Sequence, residues 1–202
     1  MATGSRRLAA SLPPGVALRL TLAAEPSPPG FINMLSWAAE SLLVDGRSMS
    51  DIRQGVTLEI FGEGISMGPL TPGMLEELIA NQGDLRYEVP WTTLDEFLAH
   101  LEARGISTNV ASFVGATTVR IHEVGYSDRL PTELELEAMR GLVAEAMGAG
   151  ALGVGSSLIY APAAYASTDE LAALASTAAS GGGMYISHIR SEGRSLRAAV
   201  AE

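Results

Sequence analysis

An α/β fold with a largely parallel sheet is predicted by three features: apolar runs of strand length, helical apolar spacing between them, and capping signatures at the helix starts. The first two runs are FINMLSW (31–37) and VTLEIFG (56–62). The stretch 64–90 follows, punctuated by Gly68-Pro69 and Pro72-Gly73, and reads as loop-rich. Thr93-Leu94-Asp95-Glu96 then carries a capping box, in which the Thr oxygen accepts the N3 amide and the N3 Glu reaches back. NVASFVG (109–115) is the third strand. A second capping box, Thr132-Glu133-Leu134-Glu135, opens a stripe of Leu136, Met139, Leu142, Val143, Ala146 and Met147 on one helical face. ALGVGSSLIY (151–160) is the fourth strand, Ser167-Thr168-Asp169-Glu170 opens another helix, and Gly181–Gly183 stops it before the fifth strand, MYISHI (184–189). Several runs are apolar on both faces, as strands covered on both sides are.

Composition narrows the function. With 202 residues, 47% of them apolar, the chain is long enough for a sizeable core. Thirteen basic residues, all Arg, face 23 acidic ones for a net charge of −10, which argues against a nucleic acid or an anionic membrane as partner. The absence of cysteine excludes disulfides, thiolate nucleophiles and thiolate metal sites. Residues 1–28 read as a Pro-rich N-terminal segment, with an apolar stretch broken at Pro13-Pro14. No export signal or membrane span is visible there, and a cytoplasmic location is the default expectation. There is no GxSxG elbow, no Walker A loop, and no GxGxxG between a strand and a helix.

In a parallel α/β protein the chemistry lies beyond the carboxyl ends of the strands, where loops converge and helix N-termini point. The residues just past each strand are Ser36-Trp37, Glu63-Gly64, Ala116-Thr117-Thr118, Ser156 to Tyr160, and His188 with Arg190 and Glu192. Trp37 reads most simply as core. His100 falls within a helical pattern, and His122 with Glu123 reads as surface or helix cap. Arg190 and Glu192 read as a local ion pair in preference to a carboxylate clamp.

ALGVGSSLIYAPAAYASTDELAALA followed by GGGMYISHIRSE resembles the N-acyl-D-amino-acid deacylases, or D-aminoacylases, of the amidohydrolase superfamily. QGVTLEIFGEG, TNVASFVG and PGFINMLSW match more weakly, and the resemblance runs from about Pro29 to the end of the chain. It implies a TIM-type (β/α)₈ barrel, present here as about five βα units over residues 29–202, and metal-assisted hydrolysis of the amide of a small-molecule N-acyl-D-amino acid. Zinc in such sites polarises the carbonyl and lowers the pKa of a bound water to about 7. The resemblance places His188 as a metal ligand, Glu63 as a ligand or catalytic base, and Ser157, Tyr160 and Arg190 along the substrate.

Three departures weigh against a complete site. The first strand of the family ends in His-x-His, whereas Phe31–Trp37 contains no histidine. The second leads to a loop with a metal-binding Cys, replaced here by Gly62-Glu63-Gly64, and the third to Gly-His-Gly, replaced by Gly115-Ala116-Thr117. A whole barrel takes about 250 residues. The chain therefore reads as the N-terminal part of a longer enzyme, inactive by itself, with open sheet edges available for self-association. The alternative is a non-catalytic barrel relative that has lost its ligands and serves binding or self-association.

Overall fold

The structure, a computed structural model, describes residues 29–202. The Pro-rich segment 1–28 lies outside the described residues. Strand β1 (Phe31–Asn33) leads through helices α1 (Ala39–Val44) and α2 (Met49–Arg53) to β2 (Val56–Phe61). Helices α3 (Pro72–Ala80) and α4 (Leu94–Arg104) follow, then β3 (Asn109–Ser112) and β4 (Val114–Gly115). After α5 (Ala116–Glu123) and α6 (Glu133–Gly148) come β5 (Gly153–Ser157), a 3₁₀ turn (Ala163–Tyr165), α7 (Thr168–Ser180), β6 (Met184–His188) and α8 (Leu196–Ala201).

Among the described residues every strand pairing is parallel, in two three-stranded sheets ordered β1-β2-β3 and β4-β5-β6. The predicted parallel α/β architecture is present. The sheets are partial and no barrel is closed among the described residues. The predicted third strand is broken at Phe113, where its pairing passes from one neighbour to the other: the Phe113 amide still donates to Phe61 O, while Ser112 O already accepts from Leu152 N on the β5 side. Among the described residues no helix is long and apolar enough to cross a membrane.

Both capping boxes form as expected: Thr93 and Thr132 accept the amides of Glu96 and Glu135, and both glutamates reach back. Glu135 also accepts from Arg129, and that hydrogen bond is the main cause holding its carboxyl down at about 2. The third signature is only half realised. Ser167 accepts from Glu170 N, but the Glu170 side chain turns into the core to meet Arg120.

One expectation is corrected and two segments gain detail. The loop-rich segment 64–90 also holds one helix, because Thr71 caps α3 by accepting from Met74 N with Pro72 at its first turn. FINMLSW is strand only to Asn33; Ser36 Oγ then accepts from Ala38 N and turns the chain into α1. Ala116-Thr117-Thr118, just past the third strand, forms the buried first turn of α5.

The core lies between the sheets and the helices. Phe97 of α4, fully buried, packs on Trp91 with ring centroids 5.2 Å apart and on Phe61 of β2 at 6.5 Å. Trp91 donates its indole N–H to Met67 O at 2.8 Å, which leaves no buried indole donor unmatched. Glu59, in the middle of β2, is fully buried with both carboxylate oxygens lacking a hydrogen-bond partner. An unmatched buried polar group costs about 1–3 kcal/mol, and a charged one more.

Candidate functional site

The loop after β2 brings Glu63 across the end of the sheet to the end of β6. Gly62 and Gly64 flank it at φ of +92° and +85°, a backbone region that side chains rarely adopt. A Cβ on Gly62 would collide with Phe113 O, and one on Gly64 would meet the Ser157 side chain. Glycine therefore serves two purposes here, the turn and the close approach. The loop is fastened on its far side: Gly64 O accepts from Thr117 N at 2.9 Å, Ser66 Oγ accepts from Gly115 N at 3.0 Å, and Ser66 N donates to Thr118 Oγ1 at 2.8 Å.

His188 ends β6, in register with Ser157 at the end of β5. Its Nδ1 lies 3.9 Å from Glu63 Oε2, with the two side chains only 25% and 17% exposed. Glu63 is thus enclosed and is no freely solvated loop carboxylate. His188 Nε2 is buried and has no hydrogen-bond partner. Glu192 Oε1 comes within 3.3 Å of it, but that carboxylate is 70% exposed and the approach does not make a hydrogen bond. The Tyr160 ring and the imidazole meet in a T-shaped arrangement at 5.9 Å and 87°, while Tyr160 remains exposed.

Four of the predicted site residues, His188, Glu63, Ser157 and Tyr160, are therefore gathered at the carboxyl ends of β2, β5 and β6. Arg190 is engaged differently. It pairs with Glu202, Nε to Oε2 at 2.7 Å, and donates to Ala164 O and Ala166 O. The expected local pair between Arg190 and Glu192 does not form; Glu202 takes that place. His100 packs on Trp91 at 5.2 Å, and His122 pairs with Glu123 at 2.7 Å in the last turn of α5. Both lie apart from this cluster in role, as read from the sequence.

An imidazole and a carboxylate side by side, with an unmatched ring nitrogen, suit zinc in donor type. They fall short in number: among the described residues no group of three or more His, Cys, Asp or Glu side chains is arranged to hold a metal ion. A zinc site normally takes three or four protein ligands, so His188 and Glu63 form part of one and do not close it.

A cleft of about 370 Å³ adjoins this pair beyond β1, β2 and β3, and Glu63 belongs to its lining. The sequence pattern did not reveal it, because its walls come from five separate segments. Trp37 lines it and is 72% exposed, which corrects the expectation of a core residue. Two carboxylates of its lining are held by tyrosines: Tyr87 donates to Glu40 at 2.8 Å, and Tyr126 to Glu77 at 2.6 Å. The Glu77 hydrogen bond, followed by burial, pushes the Tyr126 hydroxyl up to about 12, and burial together with Glu40 raises that of Tyr87.

No family model matches the chain. The D-aminoacylase of Alcaligenes xylosoxydans xylosoxydans is 34% identical over 178 residues, covering 86% of this chain and 36% of that protein. Among solved structures, a D-aminoacylase described as defining a novel subset of amidohydrolases aligns with a TM-score of 0.72 at 32% identity, over 86% of this chain and 36% of that one. An N-acyl-D-glutamate deacylase of Bordetella bronchiseptica, complexed with zinc and a phosphonate mimic of the tetrahedral intermediate, aligns at 0.71 with 28% identity and the same coverage. The chain thus spans 36% of the length of these relatives.

Proposed function

This chain is a homologue of the N-acyl-D-amino-acid deacylases of the amidohydrolase class, and from that premise we propose that it carries part of a (β/α) barrel site hydrolysing the amide of an N-acyl-D-amino acid. The observation that supports this most is the approach of Glu63 to His188 at the carboxyl ends of β2 and β6. Zinc, where a complete ligand set holds it, would supply carbonyl polarisation and an activated water. In this chain His188 and Glu63 are the donors available to it.

Within the reaction Glu63 is the group placed to accept the proton of an attacking water. Water adds to the amide carbon, Glu63 returns the proton to the leaving nitrogen as the C–N bond breaks, and the products are a carboxylate and a free D-amino acid. Ser157 and Tyr160 border the imidazole and define the substrate side. Arg190 grips a substrate carboxylate in this reading only by exchanging it for the Glu202 carboxylate.

Two donors do not sustain turnover, so the 202-residue chain by itself is expected to bind without hydrolysing. Calorimetry with an N-acetyl-D-amino acid, with and without zinc, tests the proposal alongside an assay for released D-amino acid. Binding should strengthen with zinc and lose that dependence in His188→Ala and in Glu63→Gln. Binding indifferent to zinc and to both substitutions contradicts the hydrolase reading. Turnover that His188→Ala abolishes would instead overturn only the expectation of inactivity.

Exposed Phe31 and Ile32 on β1, which among the described residues lies at one edge of its sheet, favour a second and compatible reading, self-association through that edge. Sedimentation velocity should show concentration-dependent dimers that Ile32→Lys removes. A monomer at all concentrations contradicts this reading.

A further inference from the structure

The cleft beside Glu63 has a lining that selects its occupant. Its walls are mostly apolar, from residues such as Phe61, Met67, Leu70, Met74, Leu78 and Phe97. Its charged lining residues are all acidic, Glu40, Glu63 and Glu77, with no Arg or His among the described residues that form it. An anionic group is therefore repelled, and an uncharged apolar one is accepted. The volume, about 370 Å³, falls within the range of roughly 300–1,000 Å³ typical of small-molecule pockets.

Helix α3 supplies the second observation. It contributes Met74 and Leu78 to the cleft, yet none of its residues is fully buried. An apolar helix face usually finds cover in the fold itself. Here its cover would come from whatever enters the cleft. Methionine suits such a wall, because its unbranched side chain adapts to occupants of different shape.

We propose that this cleft takes the acyl chain of the substrate, and that the protein prefers N-acyl groups several carbons long over acetyl. The proposal rests on the amidohydrolase reading for the placement of the scissile amide, since Glu63 is shared between the cleft and His188. The acyl tail lies along α3, and the amide stands at Glu63. The amino-acid carboxylate stays outside the acidic lining.

The test is calorimetry on the 202-residue chain with N-acetyl-, N-butanoyl-, N-hexanoyl- and N-octanoyl-D-leucine, together with octanamide and octanoate. Affinity should rise about fourfold for each buried methylene, and octanamide should bind about tenfold more tightly than octanoate. Leu78→Trp and, separately, Met74→Trp should flatten the series by filling the cleft, with circular dichroism reporting whether each variant is folded. Trp37 emission should shift to the blue with N-octanoyl-D-leucine, and Trp37→Phe should lose that change. An affinity independent of acyl length in the unmodified chain overturns the proposal, as does a series equally steep in both folded filling variants. If length dependence holds while zinc and His188→Ala have no effect, the acyl cleft stands and the hydrolase reading falls. The reverse pattern removes the cleft assignment alone.

Discussion

Arg120→Met should destabilise the fold by about 3–5 kcal/mol, the cost of leaving one partner of a buried ion pair alone. The Arg120 and Glu170 side chains are 1% and 2% exposed, with Nη1 2.5 Å from Oε2. Arg120 Nη2 also donates to Ser127 O and Arg129 O, so one side chain ties α5, the loop after it and the first turn of α7 together. Removing it strands a carboxylate in the core and leaves those two carbonyls short of a donor. Native domains are stable by only about 5–15 kcal/mol, so the loss would be a large part of the total. Urea denaturation of Arg120→Met and of the double variant Arg120→Met/Glu170→Leu checks this account. The double variant should recover part of the loss, because apolar replacement of a whole buried pair is often close to neutral. A loss below about 1 kcal/mol in the single variant would mean that Glu170 finds another partner.

Phe97→Ala should cost a similar amount, about 3–5 kcal/mol, from lost burial and the cavity left behind. Its ring fills the space between Trp91 and Phe61 and also forms part of the cleft wall, so truncation both loosens α4 and enlarges the cleft. The checks are the midpoint of thermal unfolding and the emission of Trp91, which should move to the red as water reaches the cavity. A cost below about 1 kcal/mol with unchanged emission would show that the neighbouring side chains collapse into the gap.

The parts of the fold legible in the sequence were those set by local chemistry. Thr93, Thr132 and Ser167 each accept the amide three residues on, and the apolar runs at 56–61 and 184–188 are strands. Interactions decided at long range were not legible. The Ser167-x-x-Glu170 pattern does not show that Glu170 is drawn away by an arginine 50 residues earlier. Nor does Phe31–Trp37 show that it leaves the strand after Asn33 and runs irregularly toward α1, since its apolar pattern suits a strand throughout. Helix α3 had a usable signal in Thr71-Pro72, which the neighbouring Gly and Pro residues obscured.

In the site, the approach of His188 to Glu63 follows from parallel topology, since one is the last residue of β6 and the other lies just beyond β2. The partner of Arg190 was not legible, because Glu202 lies 12 residues away and reaches it only through the course of α8. The cleft was likewise invisible, since Trp37, Phe61, Met74, Phe97 and Tyr126 share no sequence pattern.

The central claim is that His188 and Glu63 form one donor pair at the carboxyl ends of the strands. The chain has three histidines, so ¹⁵N spectra of their rings during a zinc titration address it directly. The claim predicts that the ring nitrogens of His188 shift first, that those of His100 and His122 stay in place, and that Glu63→Gln weakens the response. A first response at His122 beside Glu123, or a His188 response unaltered by Glu63→Gln, would contradict it.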